Sequence, residues 1–137
     1  MTNAFEIADS PISSSLPTEL GQVSNLAANF EIYSNKLTSA IPTELGNLVK
    51  MTAEFFLDEN SLSSTLPTEL GNLVKMKISF SVHGTDVTSS LPSEFGHLAK
   101  MDSWLDFHDN ILSSTIPTQL GMVRNHCEKS QFATRTS

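Results

Sequence analysis

The sequence contains one cysteine, Cys127, among its 137 residues. A single thiol cannot form a disulfide within the chain, and it cannot provide the ligand set of a cysteine-rich zinc site. Apolar runs are short as well, because none approaches the roughly 18 residues that a membrane-spanning helix requires. We therefore interpret Cys127 as a free thiol and predict a chain without a membrane span.

Basic residues are scarce. There are 8 Lys and Arg against 15 Asp and Glu, which gives a net charge of -7. A surface that binds nucleic acid needs an excess of Lys and Arg to contact the phosphates. The charge balance therefore argues against nucleic acid and favours a basic or polar protein partner. Hydrophobic residues at 39% and charged residues at 17% are typical of a folded chain.

Targeting signals are missing from the sequence as written. The first residues, MTNAFEIADS, show no basic segment followed by an apolar one, as a secretory signal would. No Asn-X-Ser/Thr glycosylation site occurs either. These absences favour an intracellular chain or a fragment of a longer protein.

A repeat of 25 residues organises the chain. Its most regular part is an aliphatic residue followed by proline, with a glycine five residues after the aliphatic one. A period of this size predicts a solenoid, in which each coil packs only on the coils next to it. The aliphatic-proline pairs are Leu16-Pro17, Ile41-Pro42, Leu66-Pro67, Leu91-Pro92 and Ile116-Pro117.

Each repeat contains one predicted strand and one predicted helical turn. Apolar residues alternate with variable ones at 30–32, 55–57, 80–82 and 105–107, which is typical of a strand with one buried face. In each repeat the proline of the aliphatic-proline pair begins a short segment that ends at the glycine four residues later. Proline at the start and glycine at the end of a segment favour a short helical or 3-10 turn. His126 stands where an apolar residue is expected, and the repeat is interpreted as ending at Val123. The predicted divisions are a partial first repeat at 1–15, a solenoid at 16–123 and an irregular C-terminal segment at 124–137.

A polar residue follows each strand. Asn35, Asn60 and Asn110 occupy this position, and Thr85 takes it in one copy. Their side chains are expected to bond main-chain groups and join neighbouring coils. Together with the aliphatic-proline and Leu-Gly motifs, this column makes the chain similar to plant-type leucine-rich repeat proteins, whose pattern is LxxLxLxxNxLxGxIPxxLGxL. The resemblance covers about residues 4–123.

The resemblance implies an α/β repeat fold, a right-handed leucine-rich repeat solenoid with a concave parallel β-sheet and short helical or 3-10 turns on the convex side. It also implies protein recognition without catalysis, as in receptor ectodomains and inhibitors of secreted hydrolases, and a place outside the cell or at its surface. Two departures occur. The repeat is one residue longer, and serine replaces the glycine of the family pattern at Ser14, Ser39, Ser64, Ser89 and Ser114.

The variable strand positions predict a binding face that is acidic and aromatic. Phe56 favours a binding role, because a face that only keeps the sheet soluble gains nothing from an exposed phenylalanine. The alternative is a solvated face whose charges serve solubility. We predict a basic or polar protein or peptide as the partner, and no cofactor. The candidate residues are Glu31, Tyr33, Glu54, Phe56, Asp58, Glu59, His83, Trp104, Asp106, His108 and Asp109.

Metal binding and catalysis lack support in the sequence. Asp58 and Asp106 fall two strands apart, or about 10 Å, which is too far for both to hold one ion. Asp106 and His108 alone make a weak metal site. The sequence has no nucleophile elbow, phosphate loop or HExxH motif, and carboxylates on an open face lack a pocket that shifts a catalytic pKa. We predict neither a metal site nor an enzyme.

Short runs of Ser and Thr form the remaining pattern. Small residues suit a tight second bend or strand, where their hydroxyls can bond the backbone. A stacked hydroxyl lattice is also similar to ice-binding solenoids, so an ice- or carbohydrate-binding surface is the alternative function. Ala40 interrupts that lattice. The runs lie at 13–15, 38–40, 63–65, 88–90 and 113–115.

Overall fold

The computed structural model describes residues 3–113, 116–121, 123 and 129–132. Within this part of the chain, short strands build two parallel sheets. The first sheet has the order β1-β3-β5-β7-β9-β11, and the second has the order β10-β8-β6-β4-β2. The strands are β1 (Phe5–Glu6), β2 (Ser13–Ser15), β3 (Phe30–Glu31), β4 (Lys36–Ser39), β5 (Glu54–Phe56), β6 (Ser61–Ser64), β7 (Ser79–Ser81), β8 (Asp86–Ser89), β9 (Trp104–Asp106), β10 (Ile111–Leu112) and β11 (Lys129–Gln131).

A 3-10 helix follows the second-sheet strand in each repeat. Each begins directly after the proline of the aliphatic-proline pair, which is held in an extended conformation and fixes the entry of the chain. The prediction of a leucine-rich repeat solenoid with parallel strands and short 3-10 turns is confirmed. The helices are η1 (Thr18–Gln22), η2 (Thr43–Asn47), η3 (Thr68–Asn72), η4 (Ser93–His97) and η5 (Thr118–Leu120).

The core consists of columns that repeat from coil to coil. Phe30, Phe55 and Phe80 of the first sheet are at most 1% exposed. The rings of Phe55 and Phe80 lie parallel with their centroids 4.8 Å apart. Buried aliphatic residues of the 3-10 helices, such as Leu45 and Leu70, pack behind them. Burial of each such side chain contributes about 1.5 to 3 kcal/mol, so the stack itself is the hydrophobic core.

The predicted role of the asparagine column is confirmed. The Asn60 amide donates to the carbonyls of Ile32, one coil back, and of Leu57 in its own coil, at 2.8 and 3.0 Å. Its Oδ1 accepts the Leu37 N–H at 3.1 Å. At the substituted position, the Thr85 hydroxyl lies within hydrogen-bonding distance of Asn110 Oδ1, at 2.6 Å. These bonds satisfy main-chain groups at the bend and join each coil to its neighbour.

The C-terminal segment differs from the prediction. Residues 129–131 form β11, which pairs with β9 so that Lys129 lies opposite Trp104 and Ser130 opposite Leu105. Phe132 stacks on Phe107 with ring centroids 5.9 Å apart. The prediction of an irregular segment after Val123 is therefore wrong for these residues. Main-chain pairing does not require an apolar residue at Ser130, and Phe132 supplies the apolar contact.

The second sheet contains the serines that replace the family glycine. Ser39, Ser64 and Ser89 have φ values of 72°, 81° and 74°, in the left-handed region that favours glycine. Ser114 and Cys127 lie outside the described residues.

Among the residues that the structure covers, no helix combines the length and apolarity needed to cross a membrane.

The predicted hydroxyl columns are not aligned across the second sheet. Pairing there joins Ser15 to Thr38 and Thr38 to Ser61, an offset of two residues from the repeat. Farther along, Ser63 lies opposite Asp86 and Thr88 opposite Ile111. Charged and aliphatic residues therefore enter the rows, and the described residues do not form a continuous lattice of hydroxyls.

Candidate functional site

The predicted binding residues lie on the side of the first sheet opposite the phenylalanine column, which we call the outer face. Alternation along each strand separates the two sides. Trp104 is 45% exposed, and Tyr33 and Phe56 are half-buried, whereas Phe55 and Phe80 are fully buried. The outer face therefore presents aromatic side chains next to carboxylates.

Three polar side chains form a group where β3 and β5 meet. The Asn29 amide donates to Glu31 Oε1 at 2.5 Å and to Glu54 Oε2 at 3.0 Å. Glu31 was expected to be accessible but is only 8% exposed, because the side chains of adjacent coils cover it. Burial raises the pKa of Glu31, and the hydrogen bond from Asn29 opposes that rise. Asn29 thus draws the carboxylates of two coils together, which no sequence motif indicated.

Two histidines stack where β7 and β9 end. The rings of His83 and His108 lie nearly parallel with their centroids 4.6 Å apart. Asp106 Oδ1 contacts His108 Nδ1 at 2.6 Å and also accepts the His108 N–H at 3.0 Å. Asp106 is only 4% exposed, so the expectation of an accessible carboxylate is wrong here as well. Its hydrogen-bond partner is His108 of the same coil.

Asp58, two residues after β5, also contacts His83. Its Oδ1 accepts the His83 N–H at 2.9 Å, and its Oδ2 lies 3.8 Å from His83 Nε2. Burial raises the pKa of Asp58, while the hydrogen bond with the Ser81 side chain and the nearby His83 act in the opposite direction. Within the described part of the chain, no three His, Cys, Asp or Glu residues are placed to hold a metal ion.

Glu59 and Asp109 lie just beyond the strands and are exposed. Both have a positive φ, 51° and 53°, at the bend that precedes the asparagine column. Gly84 has a φ of 61° in the same position of the intervening coil. These two carboxylates therefore extend the acidic character of the outer face along its edge.

Sequence reasoning missed the row of small side chains in the middle of the face. Ser79 and Ser81 of β7 are 4% and 2% exposed and lie between the larger residues of β5 and β9. His83 Nδ1 is buried and has no hydrogen-bond partner among the described residues. The sequence did contain a signal for this row, because Ser81 and Ser79 take the strand positions that Phe56 and Trp104 occupy in the neighbouring coils.

A cavity lies at the first repeat. It has a volume of about 320 Å³ and an almost wholly apolar lining. Phe5, Ile7, Leu16, Leu20 and Leu37 are part of that lining. These residues are buried or half-buried members of the core, so the cavity is lined by the core of the first repeat.

Solved structures resemble this chain over most of its length. The leucine-rich repeat ectodomain of the membrane receptor kinase GASSHO1/SCHENGEN3 from Arabidopsis thaliana, in complex with CASPARIAN STRIP INTEGRITY FACTOR 2, is 28% identical with a TM-score of 0.87. The plant peptide hormone receptor RGFR1 in complex with RGF2 is 26% identical with a TM-score of 0.84. PEPR1 with AtPEP1 is 25% identical with a TM-score of 0.85.

These matches cover 97%, 95% and 96% of this chain, respectively. The chain spans only 16%, 20% and 18% of the three receptor chains. No protein-family model matches the sequence, and no curated protein matches it. The likeness is therefore one of fold and repeat pattern with a short part of much longer ectodomains.

Proposed function

We propose that this chain, a leucine-rich repeat solenoid of the plant type, binds a protein or peptide along the outer face of its first sheet and performs no catalysis. The observation that carries the proposal is Trp104, a large aromatic side chain 45% exposed on the same face as half-buried Phe56 and Glu54, which lie two strands away. Exposed tryptophans surrounded by polar groups are typical anchors of protein interfaces. The outer face would then be the concave face of the family pattern.

Charge supports a basic or polar partner. The outward positions of β1, β3, β5, β7 and β9 contain no Lys or Arg, whereas Glu31, Glu54 and Asp106 lie among them, and Lys129 of β11 is the one basic residue among the described ones that pairs with this part of the sheet. A mainly acidic face attracts ligands of the opposite sign and speeds their association. The peptide-hormone receptor RGFR1 was solved in complex with RGF2, which supports a peptide-sized ligand for a similar solenoid.

A peptide-display selection tests this function. Peptides selected on the chain should lose binding when Glu54→Ala, Phe56→Ser, Asp58→Ala and Trp104→Ser are combined. The circular dichroism spectrum should stay unchanged, because none of these residues belongs to the core columns. The control combines Glu44→Ala, Glu69→Ala and Glu94→Ala on the 3-10 helices, which removes similar charge elsewhere. Retained binding by the first variant would falsify the proposal.

The hydroxyl rows of the second sheet receive less support. Asp86 and Ile111 interrupt them, and an ice-binding lattice needs a regular surface. We expect no thermal hysteresis from the chain at millimolar concentration. A clear hysteresis would instead make the second sheet a functional surface.

A further inference from the structure

Basic residues concentrate on one edge of the solenoid, where each coil turns from its 3-10 helix towards the next strand of the first sheet. Lys50, Lys75 and Lys100 recur there at the repeat distance of 25 residues, and all three are exposed. Lys77 is exposed as well. These four are half of the 8 Lys and Arg in a chain with a net charge of -7. We call this surface the lysine edge, defined by Val49, Lys50, Val74, Lys75, Lys77 and Lys100.

Hydrogen bonds hold this edge in register from coil to coil. The Lys77 N–H donates to the Thr52 carbonyl at 2.9 Å, and the Asp102 N–H donates to the Lys77 carbonyl at 2.8 Å. The Lys50 ammonium group donates to Asn25 Oδ1, one coil back, at 2.7 Å. Equivalent residues therefore form columns along the solenoid axis, and neighbours in a column are attached about 4.8 Å apart.

The positive charge of the lysine edge is not balanced within the chain as described. No carboxylate of the described residues forms an ion pair with these four lysines. Asp102 is the acidic residue bonded into this edge, and its carboxylate accepts a hydrogen bond from the Ser103 hydroxyl at 3.0 Å. Like charges on neighbouring coils repel each other. An anionic partner would relieve that repulsion.

Exposed aliphatic residues accompany the lysines. Val49 is 44% exposed and Val74 is 43% exposed, and each directly precedes a lysine of the column. The residues before them, Leu48 and Leu73, are completely buried. The core is therefore closed without the two valines, which remain available to a partner. Cations beside exposed aliphatic side chains favour a partner with both acidic and apolar groups.

Three kinds of anionic partner differ in how they fit this edge. Nucleic acids and anionic membranes are extended negative surfaces, which a chain with a net charge of -7 repels. Segments that bind membrane surfaces usually add aromatic anchors, and residues 47–52, 72–77 and 97–102 include no Phe, Tyr or Trp. A short acidic peptide segment reaches the lysines without spanning the rest of the acidic surface. The edge therefore favours an acidic segment of a protein.

The length of the lysine column sets the spacing of the acidic residues in that segment. Lys50 and Lys100 belong to coils two steps apart, which is about 10 Å. In a polyproline II conformation every third residue points the same way, and three residues advance about 9 Å. Two acidic side chains three positions apart therefore match the first and last lysines, and the residues between them lie near Val74.

We propose that the lysine edge binds a short acidic segment of a partner protein, in which two acidic residues three positions apart contact Lys50 and Lys100 and an aliphatic residue between them contacts Val49 and Val74. Lys75 lies between the two ends and adds to the attraction. None of these residues belongs to the outer face, so this interaction surface is additional to the proposed function and does not depend on it.

Three capped peptides test the proposal in a nuclear magnetic resonance titration at low salt. They are Gly-Glu-Leu-Pro-Glu-Gly, the amide form Gly-Gln-Leu-Pro-Gln-Gly, and Gly-Leu-Glu-Glu-Pro-Gly, which has the same composition but adjacent acidic residues. The first should bind about tenfold more tightly than the amide form, a difference of about 1.4 kcal/mol, and severalfold more tightly than the rearranged one. Its amide shifts should centre on residues 49–50, 74–77 and 100, and added salt should weaken binding.

Matched variants locate the contact. Lys75→Glu should weaken binding of the acidic peptide about tenfold, and Val74→Ser should weaken it severalfold. Lys36→Glu makes the same charge reversal at an exposed residue of β4 and should leave binding unchanged. The circular dichroism spectrum of all three should match that of the original chain, because each residue is exposed.

Several outcomes would overturn the proposal. Equal binding of the acidic and amide peptides would remove the charge recognition, and equal effects of Lys75→Glu and Lys36→Glu would remove the assigned location. Binding lost in Trp104→Ser but kept in Lys75→Glu would place the acidic peptide on the outer face instead. Self-association of the chain, or binding to phosphatidylserine vesicles, that Lys75→Glu abolishes while the peptides do not bind would assign the edge to a second copy or to a membrane. None of these results would affect the proposed function of the outer face.

Discussion

The second coil, residues 41–65, and the first coil, residues 16–40, share one sequence pattern but differ in burial. Leu45 and Leu48 of the second coil are completely buried. Their counterparts Leu20 and Val23 are half-buried and 40% exposed. Aliphatic residues at equivalent positions are thus buried to different extents, because a solenoid residue is buried by the coils on both sides of it. Stability in this fold is therefore a property of neighbouring coils and not of one repeat.

The largest difference in stability between two matched variants should come from one core column. Leu57→Ala removes a fully buried side chain of the second coil, and we expect a loss of about 2 to 5 kcal/mol. Ile7→Ala changes the half-buried counterpart near the apolar cavity and should cost less than half as much. Urea denaturation measures both values. Equal losses would contradict the view that neighbouring coils determine burial.

The asparagine column gives a second contrast. Asn60→Ala leaves the buried carbonyl of Ile32 and the Leu37 N–H without their partners, which should cost about 1 to 3 kcal/mol. Asn35→Ala should cost less, because Asn35 Oδ1 has no hydrogen-bond partner among the described residues. Thermal unfolding of the two variants compares them directly. A greater loss at Asn35 would show that the first coil depends on bonds other than those described.

Two glycines provide a matched comparison of close packing. A Cβ on Gly71 would lie 2.6 Å from the Glu94 carbonyl oxygen of the next coil, whereas a Cβ on Gly121 would meet no atom of the described residues within 4 Å. Gly71→Ala should therefore destabilise the chain by about 1 to 3 kcal/mol. Gly121→Ala should leave the melting temperature close to that of the original chain. If both variants melt alike, the coils can separate locally at little cost.

The smallest expected effect depends on pH. Burial raises the pKa of Asp58 above its ordinary value of 3.8, so the folded chain holds that proton more tightly than the unfolded chain. Stability from this group is present at low pH and is lost as pH rises through the folded pKa. Asp58→Asn should therefore gain most over the original chain at neutral pH, with the difference shrinking as pH falls towards 4.

Asp9→Asn on the partial first repeat is the control, because Asp9 is exposed. Urea midpoints measured between pH 4 and 7 should show the pH-dependent gain only for the Asp58 variant. A gain that grows as pH falls would reverse the assigned sign.

The repeat made much of this fold predictable. Strands and 3-10 turns recur because the same apolar spacing must meet the same neighbours, and the burial of Phe55 and exposure of Trp104 followed from alternation. The burial of Glu31 and Asp106 did not follow, because it depends on side chains of adjacent coils. The strand at 129–131 was missed because Ser130 takes the position of Leu105, although Phe132 lies 25 residues after Phe107 and keeps the apolar position of the repeat. Whether the outer face binds a ligand stays a prediction.

The glycine contacts also bear on how such a chain changes over generations. Gly46 and Gly71 each face the backbone of a glutamate at the same place in the following coil. Any coil of this kind can therefore pack against any other with the same close contact. Whole coils can therefore be added or removed without a change in the spacing of the rows on the outer face.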